Sequence, residues 1–188
     1  PIWRCIDRTG IQFKMLNRSR GPAVHSPRAQ ADRTAYQYDM KRVCEDTPNL
    51  VLKQVMVEDL ILNGDEVGGI RTAIGTEITA RAVIVCSGTF LGGRLHFGMS
   101  TGEGGRGGEM PANALSQTYR RLGFAVGRMK TGTVPRIHKR SIDTSVMQEQ
   151  PGDSDPRPFS FSTPIEGFDP NRIVCWLTYT NERTHDVI

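Results

Sequence analysis

The chain of 188 residues contains no apolar run of the roughly 18 to 20 residues that a membrane span needs, and no signal-peptide pattern opens it. It has no C-x-x-C pair either, because its four cysteines lie far apart, at Cys5, Cys44, Cys86 and Cys175. That spacing indicates neither a zinc site nor a redox dithiol. We therefore expect a cytoplasmic protein with reduced thiols and without a bound metal ion.

Acidic residues are missing between Arg120 and Arg140, a segment that holds seven lysines and arginines. The formal net charge is +4 and the pI is near 9.1, a mild excess that favours anionic partners but that many soluble enzymes share. Within the segment we predict a strand at "FAVGRM" and a loop at "KTGTVPRIHKR". Its cations are compatible with binding along a phosphate backbone, and equally with a solvated edge strand that resists aggregation.

Two helices are predicted in the first quarter of the chain. Ile2, Cys5 and Ile6 have helical spacing before Gly10, and Ser26 followed by Pro27 looks like the start of a longer helix that Pro48 closes. The apolar face of the second helix comprises Ala29, Tyr36, Met40, Val43 and Cys44.

Cations gather at the start of that second helix, in "SRGPAVHSPRAQADR". Arg28 and Arg33 near the first turns oppose the helix dipole, which costs up to about 1 kcal/mol per charge. An anion or an acidic partner nearby is one explanation. Neutralisation by Asp32 and solvent is the other.

The segment after Pro48 favours strands, with turns at "NGDE" and "IGTE", and it therefore predicts a small antiparallel meander. The apolar run 82–86 follows and ends in Ser87 and Gly88, as in a strand that is covered on both faces. A glycine there lets the backbone approach a ligand, although an ordinary turn is an equally good interpretation.

"GEGGRG", residues 102–107, satisfies G-x-G-x-x-G but follows no buried strand, and Pro111 separates it from a helix predicted to start near Asn113. We interpret it as a mobile glycine-rich segment. It is not a P-loop, since no G-K-[ST] follows. The predicted helix carries Leu115, Tyr119 and Leu122 on one face and ends before Gly123.

The last forty residues predict a long irregular connection, from "QEQPGDSD" to "FDPNR", and then a strand at "IVCWLTYT". In that strand Cys175 is expected to be a buried small hydrophobe. Asn181 is a helix cap whose helix has barely begun. His185 and Asp186 are adjacent and point in different directions on a helix, which argues against an acid/base pair. The two ends lead us to expect a fragment of a longer protein.

Several longer words occur in order along the chain: "GIQFKMLNRSRGPAV", "RAQADR", "VEDLI", "SGTFLGG", "GRMKTGTVPRI" and "TYTNERTHDVI". Together they resemble the MnmG (GidA) family of FAD-dependent tRNA uridine 5-carboxymethylaminomethyl modification enzymes. The resemblance implies an α/β fold: part of an FAD/NAD(P)-binding Rossmann-like domain with a β-meander, over residues 1–100, and a mixed α+β inserted domain over 101–188. The amino-terminal Rossmann half and the carboxyl-terminal part of the inserted domain would be missing.

The resemblance also implies a cofactor site. It places a backbone contact to the FAD adenine at Val57 and the cofactor close to the turn after the apolar run. Ala112 stands where the family usually has a serine that contacts FAD, so a side-chain hydrogen bond is lost there. A family signature, near flavin or tRNA, includes Thr133, Pro135 and Arg136. The cofactor-binding residues are then Val57, Ser87, Gly88, Thr89, Ala112, Lys130, Thr131 and Gly132.

The activity implied is modification of the wobble uridine of tRNA at its fifth carbon, by a homodimeric enzyme acting with the GTPase MnmE. FAD, NADH as reductant and methylene-tetrahydrofolate as one-carbon donor would take part. The family's catalytic cysteines would lie outside these 188 residues, so no catalytic residue is assigned and the fragment alone is expected to be inactive. The alternatives are a flavin-dependent oxidoreductase of small molecules and a non-enzymatic RNA-binding module. The nucleic-acid-binding residues expected are Arg28, Arg33, Arg128, Arg136, Lys139 and Arg140.

Overall fold

The computed structural model describes residues 1–132, 134 and 136–187. They form two compact units, one of Pro1–Leu52 with Arg136–Ile188 and one of Lys53–Pro135. This division differs from the boundary near residue 100 that the resemblance implies, and the assignment of a flavin-binding and an inserted domain stays a prediction. Among the described residues, no helix is both long and apolar enough to cross a membrane.

The regular elements follow one another along the chain with short connections in the first half and long ones in the second. In chain order they are α1 (Ile2–Thr9), β1 (Gly10–Leu16), β2 (Ser26–Ala31), α2 (Arg33–Glu45), β3 (Val57–Asn63), β4 (Glu66–Thr72), β5 (Glu77–Thr79), β6 (Arg94–Phe97), β7 (Ser100–Glu103), α3 (Asn113–Arg121), β8 (Gln148–Gln150), β9 (Cys175–Leu177) and α4 (Glu182–Val187).

The first unit begins with the helix that the sequence predicts, and α1 ends where the Gly10 N–H donates to the Ile6 carbonyl. The chain then forms an antiparallel hairpin of β1 and β2, in register from Gly10 opposite Ala31 to Leu16 opposite Ser26. No local sequence signal predicted this hairpin.

The predicted start of the second helix at Ser26 and Pro27 is wrong. Residues 26–31 pair with β1, and the helix begins at Arg33 with Asp32 as its cap, whose Oδ1 accepts a hydrogen bond of 2.9 Å from the Ala35 N–H. A Ser-Pro pair is only a local signal, and the cross-strand hydrogen bonds together with the better cap at Asp32 outweigh it. Arg28 therefore lies in a strand, and Arg33 is the first helical residue.

The core of the first unit surrounds Phe13, which is 2% exposed. Its ring packs edge-on against Phe159 and Phe168, with centroid distances of 5.7 and 5.3 Å. Both partners come from the predicted long connection, whose residues 151–172 form no helix or strand, whereas Gln148–Gln150 at its start form β8 and pair with β9. Aromatic burial thus holds an irregular segment in place.

Hydrogen bonds also fix the long connection. The Asn171 side chain accepts from the Phe13 N–H at 2.7 Å and donates to the Asp153 carbonyl at 2.7 Å. The Asp7 carboxylate accepts from the backbone N–H groups of Phe159 and Ser160 at 2.7 and 2.9 Å. These side chains satisfy backbone groups that a loop would otherwise leave unpaired.

The second unit contains the predicted meander, with strand order β3-β4-β5. Gly64 and Gly75 supply the positive φ values, 64° and 79°, that its two turns require. The helix predicted near Asn113 is also confirmed as α3, and Gly123 follows it with a φ of 85°. Between the meander and α3, the strands β6 and β7 form a second antiparallel hairpin.

Two predicted strands of the second unit are not strands. The apolar run 82–86 has no regular structure, and Ile84 in it is 87% exposed. The segment 124–129 has no regular structure either. A strand is completed by the backbone groups of a neighbouring strand, and the described residues offer none to these two segments.

Candidate functional site

The turn expected to lie near a cofactor, Ser87–Gly88–Thr89, is well defined. The Phe90 N–H donates to the Ser87 carbonyl at 2.9 Å, and Gly88 has a φ of 53° with no heavy atom within 4 Å of the position that a Cβ would take. The Thr89 hydroxyl donates to the Gly105 carbonyl in the glycine-rich segment. The turn therefore presents open backbone at Gly88, while the Thr89 side chain is already engaged.

Ala112, which the resemblance places where the family usually has a serine, uses its backbone internally. Its N–H donates to the Phe90 carbonyl at 2.8 Å, and its carbonyl accepts from the Gly92 N–H at 3.2 Å. It also occupies the N-cap position of α3, where no side chain caps the helix. A serine at this position could cap α3, in addition to the ligand contact that the resemblance implies.

The other expected cofactor residues are separate from this turn in local structure. Val57 begins β3, opposite Thr72. Lys130, Thr131 and Gly132 are exposed and have no regular structure, while Thr133 and Pro135 lie outside the described residues. No hydrogen bond joins the described part of this loop to the turn at 87–89.

A polar cavity of about 520 Å³ opens beside the glycines that follow the turn. Three arginines line it: Arg94 from β6, Arg120 from the last turn of α3, and Arg128 from the segment beyond. We call it the arginine cleft. Arg120 and Arg128 belong to the basic run of the sequence. Arg94 carried no sequence signal because it stands alone, and it reaches the cleft through the β6–β7 hairpin.

A second polar cluster joins the meander to α3 around Asp59, which is 9% exposed. The Asp59 carboxylate accepts from Arg71 at 2.6 Å, Arg121 at 2.7 Å and the Thr118 hydroxyl at 2.7 Å. Burial alone would raise the pKa of Asp59, but the hydrogen bonds from Thr118, Arg121 and the Leu60 N–H together hold this pKa below its ordinary value. Saturated with donors, this carboxylate holds α3 on the sheet and is not free for acid/base chemistry.

In the first unit the arginines predicted to meet nucleic acid differ in their contacts. Arg28 is half-buried, and its Nη2 donates to the side-chain oxygens of Gln12 and Gln150 at 3.2 and 3.0 Å. Its Nε is buried without a hydrogen-bond partner among the described residues. The remaining expected residues are exposed: Arg33, Arg136, Lys139 and Arg140.

Three residues near the carboxyl end, Cys175, His185 and Asn181, also have defined contacts. Cys175 is half-buried in β9, and its thiol donates to the Gln12 side-chain oxygen at 3.1 Å. The His185 ring nitrogen Nε2 lies 3.0 Å from the Thr180 hydroxyl. The predicted cap is confirmed, because the Asn181 Oδ1 accepts from the Thr184 N–H at 3.0 Å.

The meander, the glycine-ended turn and the helix after it define an α/β protein of the kind that solved GidA structures share. Two crystal forms of GidA from Aquifex aeolicus match 97% of this chain with TM-scores of 0.86 and 0.87, at 45% and 46% sequence identity. The predicted fold class is thereby confirmed. The chain covers 31% of those structures.

The chain belongs to the glucose inhibited division protein A (GIDA) family, whose model matches residues 1–188. The tRNA uridine 5-carboxymethylaminomethyl modification enzyme MnmG of Thermodesulfovibrio yellowstonii is 49% identical over 182 residues, and the enzyme of the same name from Wolinella succinogenes is 50% identical over 182 residues. Each alignment covers 97% of this chain and 29% of the relative. The chain thus spans less than a third of the length of these relatives.

Proposed function

We propose that this chain is part of a flavin-dependent enzyme that modifies the fifth carbon of the wobble uridine of tRNA, adding a carboxymethylaminomethyl or aminomethyl group. The observation that carries the proposal is the similarity to MnmG enzymes, one of which is 49% identical over 97% of this chain. Because the chain spans 29% of those relatives, the activity belongs to the whole protein, to which this part contributes binding surfaces.

The geometry of the Ser87–Gly88–Thr89 turn fits a role in holding FAD. The open Gly88 backbone leaves room for a ligand to approach, and the turn is fixed by its hydrogen bonds to Phe90 and Gly105. Val57, Ser87, Gly88 and Thr89 would contact the cofactor chiefly through backbone groups. Bound FAD would supply hydride and one-carbon transfer, with NADH as the reductant and methylene-tetrahydrofolate as the one-carbon donor.

Two further parts of the proposed cofactor site are constrained by the structure. The Ala112 N–H is already donated, so this residue would offer FAD its methyl group and the outer lone pair of its carbonyl. Lys130, Thr131 and Gly132 are exposed and free to follow either the flavin or an RNA strand.

The exposed cations Arg33, Arg136, Lys139 and Arg140 support a role for tRNA as the substrate, since phosphate contacts need solvent-accessible charge. Arg28 is set apart from them, because its guanidinium donates to Gln12 and Gln150 and ties β2 to β8. A homodimer in the cytoplasm, working with an MnmE-type GTPase, completes the proposal.

The test uses the full-length enzyme and the variant Gly88→Ala, with Gly75→Ala as its matched control. Both glycines have a positive φ, 53° and 79°, and open space beside Cα, so both substitutions carry a similar backbone strain of about 1 kcal/mol. Only Gly88 lies in the proposed cofactor turn. We expect near one flavin per chain in the wild type and the control after gel filtration, and a reduced flavin content in Gly88→Ala.

Modification is measured in the same preparations by mass spectrometry of nucleosides from treated tRNA. A wild-type enzyme that binds flavin but leaves wobble uridine unchanged in the presence of the GTPase and the donors would overturn the proposal in favour of a small-molecule oxidoreductase. A wild-type enzyme without flavin, even after reconstitution, would remove its chemical basis.

A further inference from the structure

The arginine cleft is formed entirely within the second unit. Its floor is the backbone of Gly92 and Gly93, and its walls are the β6–β7 hairpin and one face of α3. A Cβ on Gly93 would stand 2.4 Å from the Gly104 carbonyl oxygen, so the two glycine-rich segments touch directly. The floor is therefore closely packed, and Arg94 and Arg120 are presented above it from a strand and a helix.

Positive charge in the cleft is not neutralised. No carboxylate lies within ion-pair distance of Arg94, Arg120 or Arg128 among the described residues. The Arg94 Nη2 donates to the Thr101 hydroxyl and the Arg128 Nη1 to the Gly92 carbonyl, both at 3.2 Å, so each of these guanidiniums keeps further donors for a ligand.

The single acidic residue described in the lining, Glu103, accepts a hydrogen bond of 2.9 Å from the Asn113 side-chain amide. Three guanidiniums against one carboxylate leave the cleft with an excess of positive charge.

A polar hydroxyl is also available inside the cleft. Ser116 lines it, is only 5% exposed as a residue, and has no hydrogen-bond partner for its side chain among the described residues. Together with the guanidiniums it offers donors without matching acceptors. Such a site is complementary to an anion with several acceptor oxygens.

The lining selects among phosphate-bearing ligands. Every described residue of the lining is glycine, charged or polar, so the cleft has no aromatic or large apolar side chain against which a flavin or adenine ring would pack. The cleft has a volume of about 520 Å³ and is open to solvent. A sugar-phosphate backbone whose bases stay outside the cleft fits this lining, because it needs neither an apolar wall nor an enclosed pocket.

We propose that the arginine cleft binds backbone phosphates of RNA through Arg94, Arg120 and Arg128. The identity of that RNA as the tRNA substrate rests on the proposed function. Arginine suits this role because its planar fork of donors pairs with two phosphate oxygens at once. Glu103 repels phosphate and limits how far the strand enters on the β7 side.

The experiment measures the binding of unmodified tRNA to the full-length enzyme, as a function of salt, for Arg94→Gln and Arg120→Gln. Arg81→Gln is the control, because Arg81 is exposed in the same unit and lies outside the cleft. Each cleft variant is expected to weaken binding about two- to fivefold. Each should also reduce the slope of log affinity against log salt by about 0.7 to 0.9, the contribution of one phosphate contact, while the control leaves the slope unchanged.

The variant Glu103→Gln should change tRNA affinity in the opposite direction. The amide oxygen of the new side chain can still accept from Asn113, so the fold is preserved while the repelling charge is removed. We expect tRNA affinity to rise about twofold. Equal flavin content in all variants verifies that the enzyme is intact.

Cleft variants that bind tRNA with the affinity and salt slope of Arg81→Gln would refute the cleft as an RNA site. The proposed function would then stand, provided that the wild type still binds and modifies tRNA. If the wild type itself showed no salt-dependent tRNA binding, the proposed function would fail first. A cleft variant that loses flavin instead of tRNA would assign the cleft to the cofactor and overturn the proposal.

Discussion

The substitution Asp59→Asn tests how α3 is held on the meander. The carboxylate on β3 receives donors from Arg71 on β4 and from Thr118 and Arg121 on α3, so one side chain links three elements. Asparagine keeps the shape of the side chain but loses its charge, and its NH₂ group would face one of the arginine donors.

The expected loss of stability in Asp59→Asn follows from these contacts. Two charge-assisted bonds are weakened or lost, and a hydrogen bond to an ionised group contributes about 1.5 to 3 kcal/mol. The arginine side chains are 51% and 62% exposed, however, so water replaces much of what they lose. We expect a loss of about 2 kcal/mol in the free energy that protects α3 from local opening, which corresponds to roughly thirtyfold faster amide exchange.

Hydrogen exchange of the α3 amides in the full-length protein, followed by mass spectrometry, measures this change. Asp65→Asn is the matched control, because Asp65 is exposed in the turn between β3 and β4. If Asp59→Asn exchanged no faster in α3 than the control, the assigned role of the carboxylate would be wrong.

The pH dependence of the same contact has a definite sign. The pKa of Asp59 is lower in the folded state than its ordinary value of 3.8, so the folded state favours the ionised form. The contribution of Asp59 to stability is therefore fully present above pH 3.8 and is lost as the pH falls through the lowered folded-state pKa. After correction for intrinsic exchange rates, the difference in α3 amide exchange between wild type and Asp59→Asn should stay constant from neutral pH to about pH 5. It should shrink only below about pH 4.

Three further outcomes are expected. Gly69→Ala should destabilise the meander by more than about 2 kcal/mol in urea unfolding, because a Cβ there would stand 2.2 Å from the Ile78 carbonyl oxygen and the φ of Gly69 is 156°. An unchanged unfolding midpoint would contradict the close approach of β4 and β5. Ala112→Ser should slow amide exchange in α3 by the equivalent of about 0.5 to 1 kcal/mol, since it supplies the missing cap, and exchange that is unchanged or faster would count against this. In the isolated chain iodoacetamide should label the exposed Cys86 first and Cys5 last, because burial and the nearby Asp39 raise the pKa of the Cys5 thiol. Mass spectrometry gives the order of labelling, and the reverse order would refute the assigned burial of Cys5.

The sequence by itself was sufficient for the elements that local signals encode. Strand-favouring runs with turn signals at "NGDE" and "IGTE" predicted the meander of β3, β4 and β5, and helical spacing with glycine stops predicted α1 and α3. In these cases the residues that decide the structure lie within about ten positions of one another, so the pattern can be recognised without knowledge of the rest of the chain. The longer words of the chain also identified its family.

Pairings between distant segments were decided only in the tertiary structure. The strand β2 replaced a predicted helix start because β1 lies beside it, and the apolar run 82–86 stayed irregular because no described strand does. Arg94 joined Arg120 and Arg128 in one cleft through the β6–β7 hairpin, and Arg28 turned towards two glutamines. Hydrogen bonds between strands and the burial of a charge depend on which segments meet in space, a property that neither composition nor local spacing contains.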